Sequence, residues 1–453
     1  MKNINVEKQN IVLGSSHLSN KKKLKVFDRI EVMIDNMSKN KAYKLHLEKL
    51  NSKDLDGKIL EEFKTRYKNY RQDWLKSPEK QYQKNKTFIS EKTEIPNPLC
   101  VDIEIAAICD LACPHCFREA IMTPDKTISE KLFKKIIDSI AKLEVPSIKL
   151  NWRGEPLLHP KIIDFINYAK KNKILEIMIN TNCTNLDTKM SEKLIDSGID
   201  QIIFSFDGGT KETYNKMRPG RFKKNEFENV YNNIKNFSQI RKAKGSIFPT
   251  TKIQMVLTKE TRNEVENFHK LFDEYVDDVT VIQYNERGGN LDEIDKKNKD
   301  KIQKNLEDKN LDKNTPFMVT VDDKLYISEG RVPCPQLFQR LMVTYDGKVG
   351  MCCHDWGAQH CVGFLDEKAF NEDNELAKLE KSILENKKGF ELLKKTRMPN
   401  KFNIPDKKIS DLEKIWNGEE LSRIRTCHSQ NKVSGLDVCL KCTFKDTYDW
   451  REI

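Results

Sequence analysis

The sequence predicts an α/β fold: a partial (β/α)6 TIM-like barrel with a helical N-terminal extension and a small C-terminal domain built from a β-hairpin plus helices. Three observations predict it. Six apolar, β-branched runs alternate with amphipathic stretches through the middle of the chain, as strands and helices do in a parallel sheet. Polar clusters follow several of those runs directly, which gathers them on the rim formed by the C-terminal strand ends. Seven of the twelve cysteines then fall between Cys334 and Cys442, which marks a second unit.

In chain order, residues 1–98 form the extension. Leu24–Met37 and Leu45–Leu55 carry apolar residues at three- and four-residue spacing, and Glu61–Leu75 places Phe63, Tyr67, Tyr70 and Trp74 on one helical face. That stripe is expected to pack against the body of the protein, and Pro96 and Pro98 end the extension. The barrel, residues 99–290, takes its strands from Val101–Ile108, Ser147–Trp152, Leu175–Asn180, Gln201–Phe206, Lys252–Thr258 and Val279–Tyr284. Its helices come from Glu130–Leu143, Pro160–Lys171, Thr188–Ser197, Phe227–Arg241 and Arg262–Tyr275. Residues 291–332 read as a charged linker and 333–453 as the second domain, with a charged helical insertion at 366–405 to which no role is assigned.

Composition narrows the class. A chain of 453 residues suggests two to four structural units, and no run approaches the ~18 apolar residues of a membrane span. Only a short apolar break interrupts the first twenty residues, so no secretory leader is expected and the protein is placed in the cytoplasm. Of the net charge of +11, nine units lie before residue 99. A basic extension can meet nucleic acid, an anionic lipid surface or a phosphorylated substrate. Lys and Asn are frequent throughout, however, so nucleic acid is not the expected partner.

In such a compartment twelve cysteines point to metal or redox chemistry before disulfides. After the first strand stands Cys109-Asp-Leu-Ala-Cys113-Pro-His-Cys116. Three thiolates at this spacing can close on three corners of a four-iron cube and leave the fourth iron open. A zinc knuckle borrowing His115, or an electron-carrying cluster, fits the same spacing. The later strand ends add Arg153-Gly154-Glu155-Pro156, Thr181-Asn182 and Ser205-Phe206-Asp207-Gly208 to that rim.

With these motifs together, the segment from Leu99 to Glu286 resembles the radical S-adenosylmethionine (SAM) superfamily. Its cluster motif is CxxxCxxC, and its methionine-binding motif is Gly-Gly-Glu-Pro, here with Arg153 in place of the first glycine. The resemblance implies that Cys109, Cys113 and Cys116 hold a 4Fe-4S cluster whose open iron binds SAM. It implies that Glu155 accepts the methionine ammonium, with Gly154 allowing close backbone approach, and that Ser205 and Arg218 serve the ribose and carboxylate. Reductive cleavage of SAM would then give a 5′-deoxyadenosyl radical that takes hydrogen from the substrate. Where the family reads Thr-Asn-Gly this chain has Cys183, expected as a buried structural thiol, which puts any contact of Asn182 in doubt.

The C-terminal cysteines carry a second resemblance. Cys334, Cys352-Cys353-His354-Asp355, Ile415-Trp416-Asn417 and Cys439-x2-Cys442 occur in an order that resembles a SPASM extension, with an expected hairpin at Val343–Gly350, turning at Asp346-Gly347, between Cys334 and Cys352. No cysteine follows Cys442, so one auxiliary 4Fe-4S cluster is expected, on Cys334, Cys352, Cys439 and Cys442. Cys353 competes with Cys352 because strand alternation turns only one of two neighbours inward. Cys361 and Cys427 stand in reserve, and Cys100 is assigned to the core.

Function follows by analogy with the family. A small-molecule or carbohydrate substrate is expected to be oxidised, epimerised or dehydrated, with an electron donor such as flavodoxin or ferredoxin. A maturase acting on a ribosomal peptide or protein is the alternative, and a non-catalytic iron–sulfur or zinc protein that binds nucleic acid the remote one. Asp207, two residues past Ser205 on the same strand face, is the candidate to handle a proton or grip the substrate, unless it merely caps the turn at Gly208-Gly209.

Overall fold

The structure, a computed structural model, describes residues 27–87; 96–283 apart from 117, 119–122 and 259; 318–369 apart from 322–323, 332–333, 356–357 and 359; and 408–452 apart from 431–432, 434–435, 441 and 443–447. Most of the insertion expected at 366–405 and most of the linker expected at 291–332 lie outside these residues.

The alternation of the sequence becomes β1 (Cys100–Ile103), β2 (Ser147–Lys149), β3 (Glu176–Thr181), β4 (Gln201–Ser205), β5 (Thr250–Leu257) and β6 (Asp278–Gln283), each paired in parallel with the next. Helices Glu130–Lys142, Ile162–Lys171, Thr188–Ser197, Phe227–Ala243 and Val265–Phe272 fill the connections, with a short helix, Lys211–Met217, that the sequence reading misses. Their apolar faces bury Phe133, Ile136, Phe165, Leu194, Ile234 and Phe268 against Val101, Ile148, Ile177, Ile202 and Ile253 of the strands. Burying this many large side chains, at roughly 1.5–3 kcal/mol each, is what holds the layers together. Half-exposed residues alternate with the buried ones: Asn180 on β3, Ser205 on β4 and Gln254 on β5 occupy the face opposite the helices.

Six more strands follow among the described residues. β7 (Met318–Val321) and β8 (Lys324–Arg331) form an antiparallel pair, so the linker expectation fails over this stretch, where Met-Val-Thr-Val and Leu-Tyr-Ile are strand-forming residues. The hairpin expected near Asp346-Gly347 is β9 (Arg340–Val343) and β10 (Lys348–Gly350), with Gly347 at φ +97° in its turn. β11 (Cys361–Phe364) extends it, and β12 (Tyr448–Glu452) pairs with β8. The hairpin does not stand apart from the barrel. β9 pairs in parallel with β1, giving one nine-stranded sheet in the order β11-β10-β9-β1-β2-β3-β4-β5-β6.

The extension closes the end of the barrel opposite the strand C-termini. Helix Lys58–Thr87 lays Phe63, Tyr67 and Tyr70 onto Leu99, Leu175 and Phe248, together with Met33, Met37 and Tyr43 from the helical turns before it. The Tyr67 and Tyr70 hydroxyls donate to buried Glu176 at 3.2 and 3.0 Å, and Arg29 pairs with the same carboxylate at 3.0 Å. The aromatic stripe is therefore packing, as its helical spacing predicts.

Candidate active site

At the C-terminal rim the first object is the cysteine loop after β1. Cys109, Cys113 and Cys116 are all half-buried and free of disulfides, and Cys116 N–H turns back to Cys113 O at 3.0 Å. Burial pushes the Cys113 thiol up to about 12, against the pull of Arg218, and burial likewise raises Cys109, with Glu155 adding to it. Thiols so placed ionise readily only when a metal's charge replaces the lost water. Each feels its neighbour: Cys109 the charge of Cys113, and Cys113 that of Cys116. Among the described residues no three His, Cys, Asp or Glu side chains are arranged as a single-ion site. A four-iron cube asks for something wider, one thiolate per corner, and the donor set fits that demand.

The segment after β2 locks onto this loop. A Cβ on Gly154 would lie 2.4 Å from the carbonyl oxygens of both Ala106 and Ile108, so only glycine lets the strands approach, and Glu155 N–H donates to Ile108 O at 2.8 Å. The close approach that Gly154 permits is thus to the chain's own backbone. Glu155 is buried and accepts from Leu157 N–H at 3.0 Å, Thr181 Oγ1 at 2.8 Å and Asn182 N–H at 2.7 Å. Burial raises its carboxyl to about 7, with those donors working the other way and Asp110 adding to the rise. Four lone-pair sites less three donors leave one place for a cationic group.

Asn182 is firmly part of the site. Its Nδ2 donates to Asp110 Oδ1 at 2.7 Å and reaches Cys109 Sγ at 3.9 Å. Cys183 behind it is fully buried in the core with φ +63°, a left-handed backbone that explains why a glycine suits this position. The Thr181-Asn182 pair at a strand end was the signal, and the missing glycine obscured it.

Arg218 and Asp207 face the other side of the cysteine loop. Arg218 Nε and Nη2 both bond Asp207 Oδ2, at 2.7 and 2.6 Å, while Val256 N–H donates to Oδ1 at 2.8 Å and His115 Nε2 lies 3.2 Å from Oδ2. Burial would raise the Asp207 carboxyl, but Arg218 and His115 overcome it and hold the group well below the usual carboxylate range. This corrects the expectation for Asp207: a fully buried, fully engaged anion is not placed to take a proton from a substrate. Nor does it cap the Gly208-Gly209 turn, since Glu264 does that, accepting from Gly209 N–H at 2.6 Å. Ser205 sits half-exposed at the end of β4, in register with Gln254.

Arg153, where the family has glycine, makes a bidentate pair with buried Glu104 at 2.6 and 2.7 Å, and Glu104 also accepts Tyr345 N–H of the hairpin turn at 3.3 Å. Trp152 donates from Nε1 to Cys353 O at 2.9 Å and packs with Met342 and Ala358, with Cys116 and Cys353 against that cluster. The second thiol group lies beyond. Buried Cys352 is raised by burial and by the nearby charges of Cys353, Cys334, Cys439 and Asp355, which places Cys334, Cys352 and Cys439 together. Cys442 shares their turn through its N–H to Cys439 O at 3.2 Å. The thiol of Cys353 is directed to Gln336 Oε1, at 3.8 Å. Cys361 is buried apart, with Phe364 and Ala369, and Cys100 is core.

Comparison with known proteins fits this geometry. Residues 103–272 match the radical SAM superfamily, and residues 334–443 match SPASM, an iron-sulfur cluster-binding domain. The chain thus carries a radical SAM domain followed by a SPASM domain. Its cofactors are therefore a 4Fe-4S cluster with an open iron site, an auxiliary 4Fe-4S cluster and SAM. It is 28% identical, over 36% of its length and 45% of the relative's, to a tungsten-containing aldehyde ferredoxin oxidoreductase cofactor-modifying protein of Pyrococcus furiosus. It is 23% identical, over 43% of its length and 50% of the relative's, to mycofactocin maturase MftC of Mycobacterium ulcerans. The matched part thus spans about half the length of these relatives. Among solved structures, BtrN in complex with AdoMet and 2-DOIA aligns over 80% of this chain and all of that one, at 13% identity and a TM-score of 0.41. No helix among the described residues is long and apolar enough to cross a membrane.

Proposed function

We propose that this radical SAM enzyme is of the maturase kind, removing a hydrogen atom from a peptide or protein substrate that it modifies. The class rests on one observation: the three thiols of the β1 loop lie between a buried carboxylate with room for one more donor, Glu155, and a buried guanidinium, Arg218. When bound, the reduced cluster and SAM supply one-electron cleavage and, through it, hydrogen abstraction from an unactivated carbon. The chain's own residues hold and orient. Cys109, Cys113 and Cys116 bind the cluster, Glu155 takes the ammonium of SAM, and Gly154 fixes Glu155 against the loop. Arg218 and Ser205 hold the carboxylate and ribose, and Asp207 positions Arg218. Cys334, Cys352, Cys439 and Cys442 hold the auxiliary cluster. The maturase reading is supported by the similarity to a maturase and to a cofactor-modifying protein. A sugar or other small molecule is the second reading, favoured by the polar, half-exposed Asn180, Ser205 and Gln254 on the inner sheet face.

Two measurements test this. Anaerobically reconstituted protein given SAM and dithionite should release 5′-deoxyadenosine, and Cys113→Ala should abolish the release while folding survives; cleavage at the wild-type rate by that variant would sink the assignment. Deuterium arriving in 5′-deoxyadenosine from a labelled peptide, and not from labelled sugars, separates the maturase from the small-molecule reading.

A further inference from the structure

The loop after Arg218 is stitched to the cysteine loop by main-chain bonds. Ala112 N–H donates to Pro219 O at 2.9 Å, Arg221 N–H to Asp110 O at 2.7 Å, and Leu111 bridges Gly220. It is also tight. A Cβ on Gly220 would sit 1.7 Å from Lys223 O, and Asn225 Nδ2 donates to Arg218 O at 2.9 Å. On this fixed loop Phe222 is 61% exposed, the one aromatic among the exposed large apolar side chains of the described residues. The Arg221 guanidinium lies 4.9 Å from its ring centroid.

The surroundings are basic. Residues 216–225 contain Lys216, Arg218, Arg221, Lys223 and Lys224 and no acidic residue, and Lys216, Lys223 and Lys224 are exposed. Among the described residues, acidic groups reach the exposed side of the patch from its borders: Asp125 to Arg221 at 2.6 Å, Glu226 to Lys224 at 2.5 Å and Glu260 to Lys216 at 3.7 Å. Such exposed pairs contribute little to stability and exchange readily for a partner's carboxylates.

We propose that the Arg221–Lys224 loop is the docking site of a small acidic one-electron carrier protein, bearing a flavin or an iron–sulfur centre, that reduces the cluster on Cys109, Cys113 and Cys116. The proposal rests on the cluster reading given above. Each cleavage of SAM consumes one electron, which must enter from outside. The carrier is oxidised by one electron and the cluster reduced by one, with no bond made or broken. The loop carrying Phe222 bonds directly to Asp110 and Ala112 of the cysteine loop, so a carrier seated there sits against the cluster's own support. An aromatic anchor in a basic rim is the arrangement that gives a short-lived, electrostatically steered complex.

The test is the rate of cluster bleaching in the full reconstituted chain, read by stopped-flow absorbance with two reductants. Phe222→Ala and the double variant Lys223→Glu/Lys224→Glu should each slow reduction by photoreduced flavodoxin about tenfold, and the double variant should flatten its dependence on ionic strength. Reduction by dithionite and bound iron should match wild type. Equal flavodoxin rates in variants and wild type overturn the docking site while leaving the cluster reading intact. An equal slowing with dithionite also overturns it, by showing that the loop matters to the cluster and not to a partner. A wild-type protein with no dithionite-reducible cluster removes the cluster reading itself, and the proposal with it.

Discussion

Arg218 and Asp207 form a buried ion pair whose two halves depend unequally on one another. Removing the carboxylate charge leaves a guanidinium buried beside Cys113, and breaking one side of such a pair costs about 3–5 kcal/mol. Asp207→Asn should therefore lower stability by about that amount and weaken iron retention, as read by thermal unfolding and iron analysis; a stable variant with full iron and no substrate conversion would restore the proton-handling role. Glu155 offers a pH test. Its folded carboxyl stands at about 7, above the unfolded value near 4.5, so the folded state binds the extra proton between them. Its contribution is thus complete at low pH and is lost as pH rises through about 7. Cofactor-free protein should lose stability across that window, and Glu155→Gln should remove this part of the slope; parallel stability–pH curves would contradict the assignment. At this scale the cysteines, Gly154 and Glu155 were legible because their chemistry is written in spacing. The Asp207–Arg218 partnership was not, because the two are joined by a helix whose path no local pattern reveals.

Helix Lys58–Thr87 is the element whose reading transferred most directly. The spacing of Phe63, Tyr67 and Tyr70 dictates one face, and that face is the one buried. What the pattern could not show was the surface that receives it, the strand starts at Leu99, Leu175 and Glu176, since contacts at such sequence separation leave no local trace. Tyr70 is 3% exposed and gives both packing and a hydrogen bond to Glu176. Tyr70→Ala should cost about 3–5 kcal/mol, with Tyr70→Phe recovering most of it, in chemical denaturation of the intact chain. Full stability in the alanine variant would mean that the helix is not seated on the barrel. β7 and β8 show the opposite failure of reading. The acidic and lysine-rich run before them set the expectation of a linker, and the short β-branched stretches at Met318–Val321 and Lys324–Arg331 were absorbed into it.

Over the whole molecule, the separation into a barrel and an auxiliary domain holds for chemistry but not for the sheet. β9 supplies the parallel neighbour of β1, so the strand that leads into Cys109 is an interior strand only because the C-terminal residues return to it. The seam is reinforced away from the sheet. Arg340 pairs with Asp102 at 3.1 Å and lies 4.9 Å from the Trp74 ring centroid, Gln339 Nε2 donates to Trp74 O at 2.6 Å, and Trp416 Nε1 to Pro96 O at 2.8 Å. Extension, barrel and C-terminal region thus share partners, and a shared buried sheet unfolds as a unit. Thermal unfolding should show one transition, with fluorescence, far-ultraviolet circular dichroism and iron release coincident. Ending the chain at residue 332 tests the same point harder. It leaves β1 with unpaired backbone groups on one side and Asp102 without Arg340, an exposed apolar edge of the kind that associates. That fragment should be insoluble or oligomeric and fail to hold iron at Cys109, Cys113 and Cys116, although it keeps all three. By contrast, the full chain with those three cysteines replaced should stay folded and keep roughly half of about eight irons, the auxiliary cube. A soluble, monomeric fragment carrying a full four-iron cluster would show that the barrel needs nothing from the C-terminal strands.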